Sequence, residues 1–280
     1  MQLFTNRMGI TCVAMALVAL LAPRSSADTV IAKLTGVDYA STSYTTVQLT
    51  LADSSNPTIN NTQAIVGPEH WHQTGGTLNI AGDTGDFTTF CIEIMQDVII
   101  NSTYTFNVGA VKDAPTPGAL VVPYSGANHN GAMGQTKADL IGKLWALHHA
   151  DTLVNNLANM GDKAAGAAAF QTAIWEIVYE NSGAFSLSTG DLKASQSGSS
   201  AASGKAITIA GTWLTQLSDS TPYTAPNLRA LSSAGYQDQI FDLPVPPPAS
   251  GTPLPSAACG GLALFGLAAA VRRRRTPRHI

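Results

Sequence analysis

Two periodicities divide the middle of the chain. Runs rich in β-branched and aromatic residues occur at Thr29 to Thr35, Tyr44 to Leu51, Thr77 to Ile80, Phe87 to Ile94 and Tyr104 to Val108. Turn-forming clusters such as Asp53-Ser54-Ser55-Asn56-Pro57 separate them, so the pattern predicts strands. From Thr136 the period changes. Leu140, Ile141, Leu144, Trp145 and His148 recur at helical spacing within Thr136 to Ala150, as do Phe170, Ile174, Ile177 and Val178 within Lys163 to Glu180. A Ser/Gly-rich stretch, Ser195 to Gly204, then precedes a third, weaker helix from Lys205 to Leu217. Leu228 to Ala230 and Gln239 to Leu243 read as closing strands. The expected fold class is α+β: an antiparallel β-sandwich or barrel with helices inserted between Val108 and Leu228. The length gives one such domain an ample core.

Both ends follow other patterns. Residues 1–27 carry a basic Arg7, an apolar run from Ile10 to Ala22 and small residues at Ser25-Ser26-Ala27. That is the layout of a removable signal peptide, with cleavage expected after Ala27. Residues 257–271 are a short apolar stretch followed by Arg272 to Arg275. The stretch reads as a single transmembrane helix, and the basic tail, 272–280, is expected on the cytoplasmic side. Fifteen helical residues rise only about 22 Å, short of a hydrocarbon core of about 30 Å, which suits a temporary anchor. Residues 244–256, beginning Pro244-Val245-Pro246-Pro247-Pro248, form a proline-rich linker. Residues 28–243 are then the secreted domain.

Setting the ends aside changes the charge. The segment 28–243 holds 8 basic and 18 acidic residues, a net charge of −10. Nucleic acid is therefore excluded as a partner, because phosphate binding needs clustered Lys and Arg. Of three cysteines, Cys12 lies in the signal and Cys259 in the anchor. Cys91 is the sole thiol of the secreted domain and lacks an internal disulfide partner. His70-Trp71-His72 and His148-His149 do not have spacing that forces three or four ligands together, so no metal is expected. No phosphate loop, dinucleotide fingerprint or nucleophile elbow is present, and no cofactor is implied.

Strand alternation places Phe90, Ile92 and Ile94 on one face, the natural core face. Thr89, Cys91 and Glu93 share the other. On the second helix Phe170, Ile174 and Ile177 define the apolar centre, with Gln171 on its flank beside Trp175 and Val178. Read alone, Gln171 is a flanking residue making ordinary hydrogen bonds, and Cys91 a small buried hydrophobe.

Together, Phe90-Cys91-Ile92-Glu93 and Phe170-Gln171-Thr172-Ala173-Ile174-Trp175 resemble the thioester domains of bacterial surface adhesins. Those domains carry an aromatic-Cys-aliphatic motif on a strand and later a Thr-Gln-x-Ala-x-Trp helix; Phe170 stands here where Thr is common. The resemblance implies that the Cys91 sulfur and the Gln171 side-chain carbonyl join as an internal thioester that acylates an amine on a target surface. Glu93 and His148 are candidate proton relays. The C-terminus resembles the PEP-CTERM sorting signal, with Pro253-Leu254-Pro255-Ser256 as its motif and Leu254 in place of the usual Glu. Proteins of that class also carry helices like Ala-x-x-Gln-x-Ala-Ile-Trp-Glu, so the helix has a scaffold reading too.

These resemblances imply an exported, non-enzymatic adhesion protein of the cell surface or extracellular matrix. It would sit transiently in the inner membrane through its C-terminal helix, be processed by an exosortase-type enzyme, and meet matrix amines or polysaccharide. Two alternatives use the same export route: a noncovalent structural surface protein and a secreted hydrolase.

Overall fold

The computed structural model describes residues 28–37, 45–51, 59–82, 85–117, 129–153, 163–181, 183–220, 222–224 and 226–243. All belong to the unit that ends at Leu243. The segments expected to be signal peptide, linker, sorting motif (Pro253, Pro255, Ser256), transmembrane helix and basic tail lie outside the described residues. Among the described residues no helix is long and apolar enough to cross a membrane.

The fold is α+β, built on a closed six-stranded antiparallel barrel. Its strands are β1 (Thr29–Val37), β4 (Glu69–Gly76), β5 (Asp86–Cys91), β6 (Thr103–Ala110), β10 (Leu228–Ser232) and β11 (Gln239–Asp242), in the order β1-β4-β5-β11-β10-β6. Closure removes the sheet edges, which would otherwise present unpaired N–H and C=O groups. Alternation fills the interior with Val30, Ala32, Leu34, Trp71, Phe106, Leu231 and Phe241. Trp71 meets Tyr104 and Phe106 edge-on, at centroid distances of 5.8 and 5.4 Å. Gly76 ends β4 with φ +117°, and a Cβ there would collide with the Thr29 carbonyl of β1.

A second layer covers the barrel. Strands β2 (Thr46–Leu51), β3 (Thr62–Ile65) and β9 (Leu192–Gln196) form a sheet in the order β3-β2-β9, and β7 (Pro115–Pro117) pairs with β8 (His129–Ala132). Three α-helices lie among the described residues: α1 (Gln135–His148), α2 (Lys163–Tyr179) and α3 (Ala201–Gln216). Ser200 caps α3, its hydroxyl accepting the Ser203 N–H at 3.3 Å. A second hydrophobic core gathers Val47, Leu49, Phe90, Ile92, Leu144, Trp145, Phe170, Ile174, Trp213 and Ile240 between this layer and the outer face of the barrel.

Several boundaries differ from the sequence reading. Thr77 to Ile80 is a bend, not a strand, because Thr77 and Leu78 both donate to the Thr29 carbonyl and turn the chain. β5 stops at Cys91 rather than Ile94, although the Ile92 N–H still reaches the Asp238 carbonyl at 2.9 Å. The third helix starts four residues early, at Ala201, where the Ser200 cap outweighs the weak propensity of the Ser/Gly run. Helix α2 is buried on nearly every side, so it has no solvent flank.

Candidate functional site

Cys91 and Gln171 meet. Cys91 ends β5, and Gln171 lies one residue after Phe170 on α2, with 80 positions between them. The Cys91 backbone N–H donates to Gln171 Oε1 at 3.0 Å, and Gln171 Nε2 donates to the Cys91 carbonyl at 2.7 Å. The side-chain amide thus takes the place of one residue of a neighbouring strand. Both residues are buried.

Helix α2 makes this contact through a stripe at i, i+4 and i+8. Gln171 reaches Cys91, Trp175 stands beside them, and the Tyr179 hydroxyl accepts the Ile94 N–H at 2.9 Å. The indole N–H of Trp175 has no hydrogen-bond acceptor among the described residues. It nevertheless lies close enough to the Cys91 sulfur to pull the thiol pKa down, a weaker influence than desolvation and the nearby Glu69 charge, which together hold it well above its ordinary value. We read this as a polar contact short of a full hydrogen bond.

A cavity of about 440 Å³ opens onto the pair. Cys91, Gln171, Trp175, Glu69 and Gln237 contribute to its inner wall, and Asp97 is exposed at its rim. Ile65 and Ile100, 49% and 36% exposed, add apolar surface. Glu69 faces Thr89 across the β4–β5 ladder, so it shares the face of Thr89 and Cys91. A polar chain runs to it through the barrel. Trp71 Nε1 donates to Thr89 Oγ1 at 2.9 Å, and Thr89 Oγ1 donates to Gln239 Oε1 at 2.8 Å. Gln239 Nε2 turns to the Gln237 carbonyl at 3.4 Å, and the Gln239 side chain is near enough to Glu69 to hold its pKa down against burial. Burial raises the Glu69 pKa to about 8, and the charge of Asp97 adds to the rise.

Neither candidate relay lines the cavity. Glu93 follows the end of β5 and its carboxyl neighbours Asp238, yet its charge still acts on the Cys91 thiol and helps to raise its pKa. Burial raises its pKa to about 7, as it does that of Asp238. Gln237 Nε2 holds the Glu93 carbonyl at 2.7 Å. His148 is stacked on Trp213 at 4.6 Å and directs Nδ1 toward Asp151 Oδ2 at 3.2 Å, away from the cavity lining. His149 stacks on Trp145 at 4.3 Å, and burial lowers its pKa to about 4. Among the described residues, no cluster of three or more His, Cys, Asp or Glu is placed to hold a metal ion.

Glu69, Asp97 and the Gln237-Asp238-Gln239 run did not stand out in the sequence. Their signal was phase: Glu69 is two residues from the core Trp71, so a carboxylate shares the inward face of a strand. No protein-family model matches the chain, and comparison with curated proteins and with solved structures finds no match.

Proposed function

We propose that the protein is an exported surface or matrix protein that attaches covalently to amines through an internal thioester between Cys91 and Gln171. The reading is supported above all by the paired hydrogen bonds between the Gln171 amide and the Cys91 backbone. They fix the carbonyl carbon of one residue beside the residue that carries the thiol. The Cys91 N–H also polarises Oε1 toward the charge that develops when sulfur attacks. Attack expels ammonia and leaves an acyl group that a target amine then takes from sulfur. Each molecule reacts once, so this is an attachment device rather than an enzyme. Export, anchoring by 257–271 and exosortase-type processing near Pro253, Pro255 and Ser256 belong to the same proposal, carried by the sequence of the two ends.

The same hydrogen bonds also fit a noncovalent strut that finishes the end of β5. Intact mass separates the two readings. Protein purified without exposure to amines should weigh one ammonia less than its processed sequence, and methylamine should restore that mass plus its own substituent while freeing the Cys91 thiol. Cys91→Ala and Gln171→Ala should each abolish deficit and uptake. Full mass with a freely alkylated thiol in fresh, folded protein would establish the strut instead.

A further inference from the structure

Resting on the thioester reading, we infer that Glu69 is the proton carrier of this site, passing the proton between the Cys91 sulfur and the nitrogen that leaves or enters at Gln171. Four observations lead there. Glu69 lines the same cavity as Cys91, Gln171 and Trp175. Its ladder position opposite Thr89 puts it on the face that Cys91 shares. Its Oε2 is buried with no hydrogen-bond partner among the described residues, while the Gln239 side chain lies near the carboxyl. Glu93 also has a buried Oε2 with no partner among the described residues and a charge that acts on Cys91, but its influence on the thiol is weaker than that of Glu69, and neither it nor His148 lines that cavity.

The thiol needs such help, because burial disfavours the free thiolate. In thioester formation the S–H proton moves to Glu69 as sulfur bonds to the Gln171 carbonyl carbon. The C–N bond then breaks, and the same proton leaves on ammonia. In aminolysis the order reverses. An amine N–H proton goes to Glu69, the new C–N bond forms, the C–S bond breaks, and sulfur regains the proton. Atoms and charge balance in both directions, and no oxidant or reductant is involved.

The groups facing Glu69 set its behaviour. Thr89 and Cys91 on β5, Asp97 beyond it and Gln239 on β11 are the polar groups around it; Glu93 acts on Cys91 and is itself coupled to Asp238, and α2 presents the neutral Gln171 and Trp175 to the cavity. Asp97 is exposed, so changing it leaves the core intact while removing a charge that raises the Glu69 pKa.

The test follows ammonia loss and amine uptake by intact mass in the full-length exported protein, with methoxyamine as nucleophile because it is neutral across the range used. Glu69→Gln should slow both steps by about 100-fold or more, the usual worth of a positioned proton carrier. Wild-type uptake should rise with pH as Glu69 ionises, and Asp97→Asn should move that rise to lower pH. Wild-type rates in Glu69→Gln, or an unmoved profile in Asp97→Asn, would overturn the role of Glu69 and leave the thioester standing. Absence of ammonia loss from the wild type would overturn both. Should Glu69→Gln fail to fold, the Asp97→Asn profile decides alone.

Discussion

Both ends of the Gln171 amide go to one residue, and this gives it a structural value separate from its chemistry. Removing it leaves the Cys91 N–H and carbonyl buried without partners, and each such group costs about 1–3 kcal/mol. Cys91→Ala keeps that backbone pairing and loses only the thiol. Both substitutions abolish a thioester, so their difference reports the hydrogen bonds together with the extra buried volume that Gln171→Ala removes. Gln171→Ala should therefore unfold at lower urea than Cys91→Ala, by roughly the cost of one or two bare groups. Equal midpoints would show that water replaces the amide, and that Gln171 is held in place by something else. The contact between Cys91 and Gln171 was legible because both belong to motifs with local spelling. The place of Glu69 at the same cavity was hidden because Thr89, Cys91 and Gln239 come to it only through strand pairing.

At the level of elements, α1 supports the helix that carries the site. Lys137 Nζ donates to the Val178 carbonyl at 2.6 Å and to Asn181 Oδ1 at 3.2 Å, covering the end of α2. Lys143 Nζ donates to the Leu217 carbonyl at 3.0 Å and also to the Asp219 carbonyl, covering the end of α3. Cations belong at helix C-termini, where the last carbonyls lack intrahelical donors. Buried Lys143 has no other evident use. Lys143→Met keeps the aliphatic stem and removes the donors, and should cost about 1–3 kcal/mol. The exposed Lys205→Met on α3 should stay within about 0.5 kcal/mol of wild type. Thermal unfolding of the two variants makes the comparison, and equal losses would remove the capping role. Helical periodicity made α1 and α2 readable to within two residues at every end. The faces were not readable, because α2 is covered all round and the repeat of apolar residues marks only part of its buried surface.

The whole molecule joins a barrel to a helical layer through strands far apart in sequence, and that topology was only partly legible. An α+β scaffold with inserted helices followed from the change of period, with sandwich and barrel left as alternatives; the choice of barrel did not follow, because β1 lies between β4 and β6 while β5 meets β11 from the far end of the domain. Packing these elements buries polar groups together. Glu69 is raised to about 8, and Glu93, Glu176 and Asp238 to about 7, chiefly by desolvation. A carboxyl with a raised pKa binds its proton more tightly folded than unfolded. Its contribution is fully present below the unfolded value and is lost as pH rises through the folded one. Histidine works the other way here: burial lowers His148, and lowers His149 to about 4, so neutral histidine favours folding as pH rises toward 6.5. The opposing effects overlap most below about pH 6.5; above it the unfolded histidines lose their remaining protons, and the more numerous carboxyls dominate. Stability should therefore fall between about pH 6.5 and pH 8.5, as Glu93, Glu176, Asp238 and finally Glu69 are forced to ionise in place. Glu69→Gln should flatten the upper part of that decline, since its amide has no proton to lose. Urea midpoints at the two pH values, for wild type and variant, measure both effects. A wild-type midpoint that holds steady or rises toward pH 8.5 would mean that water reaches these carboxyls and that the interior is more open than the packing of barrel and helices implies.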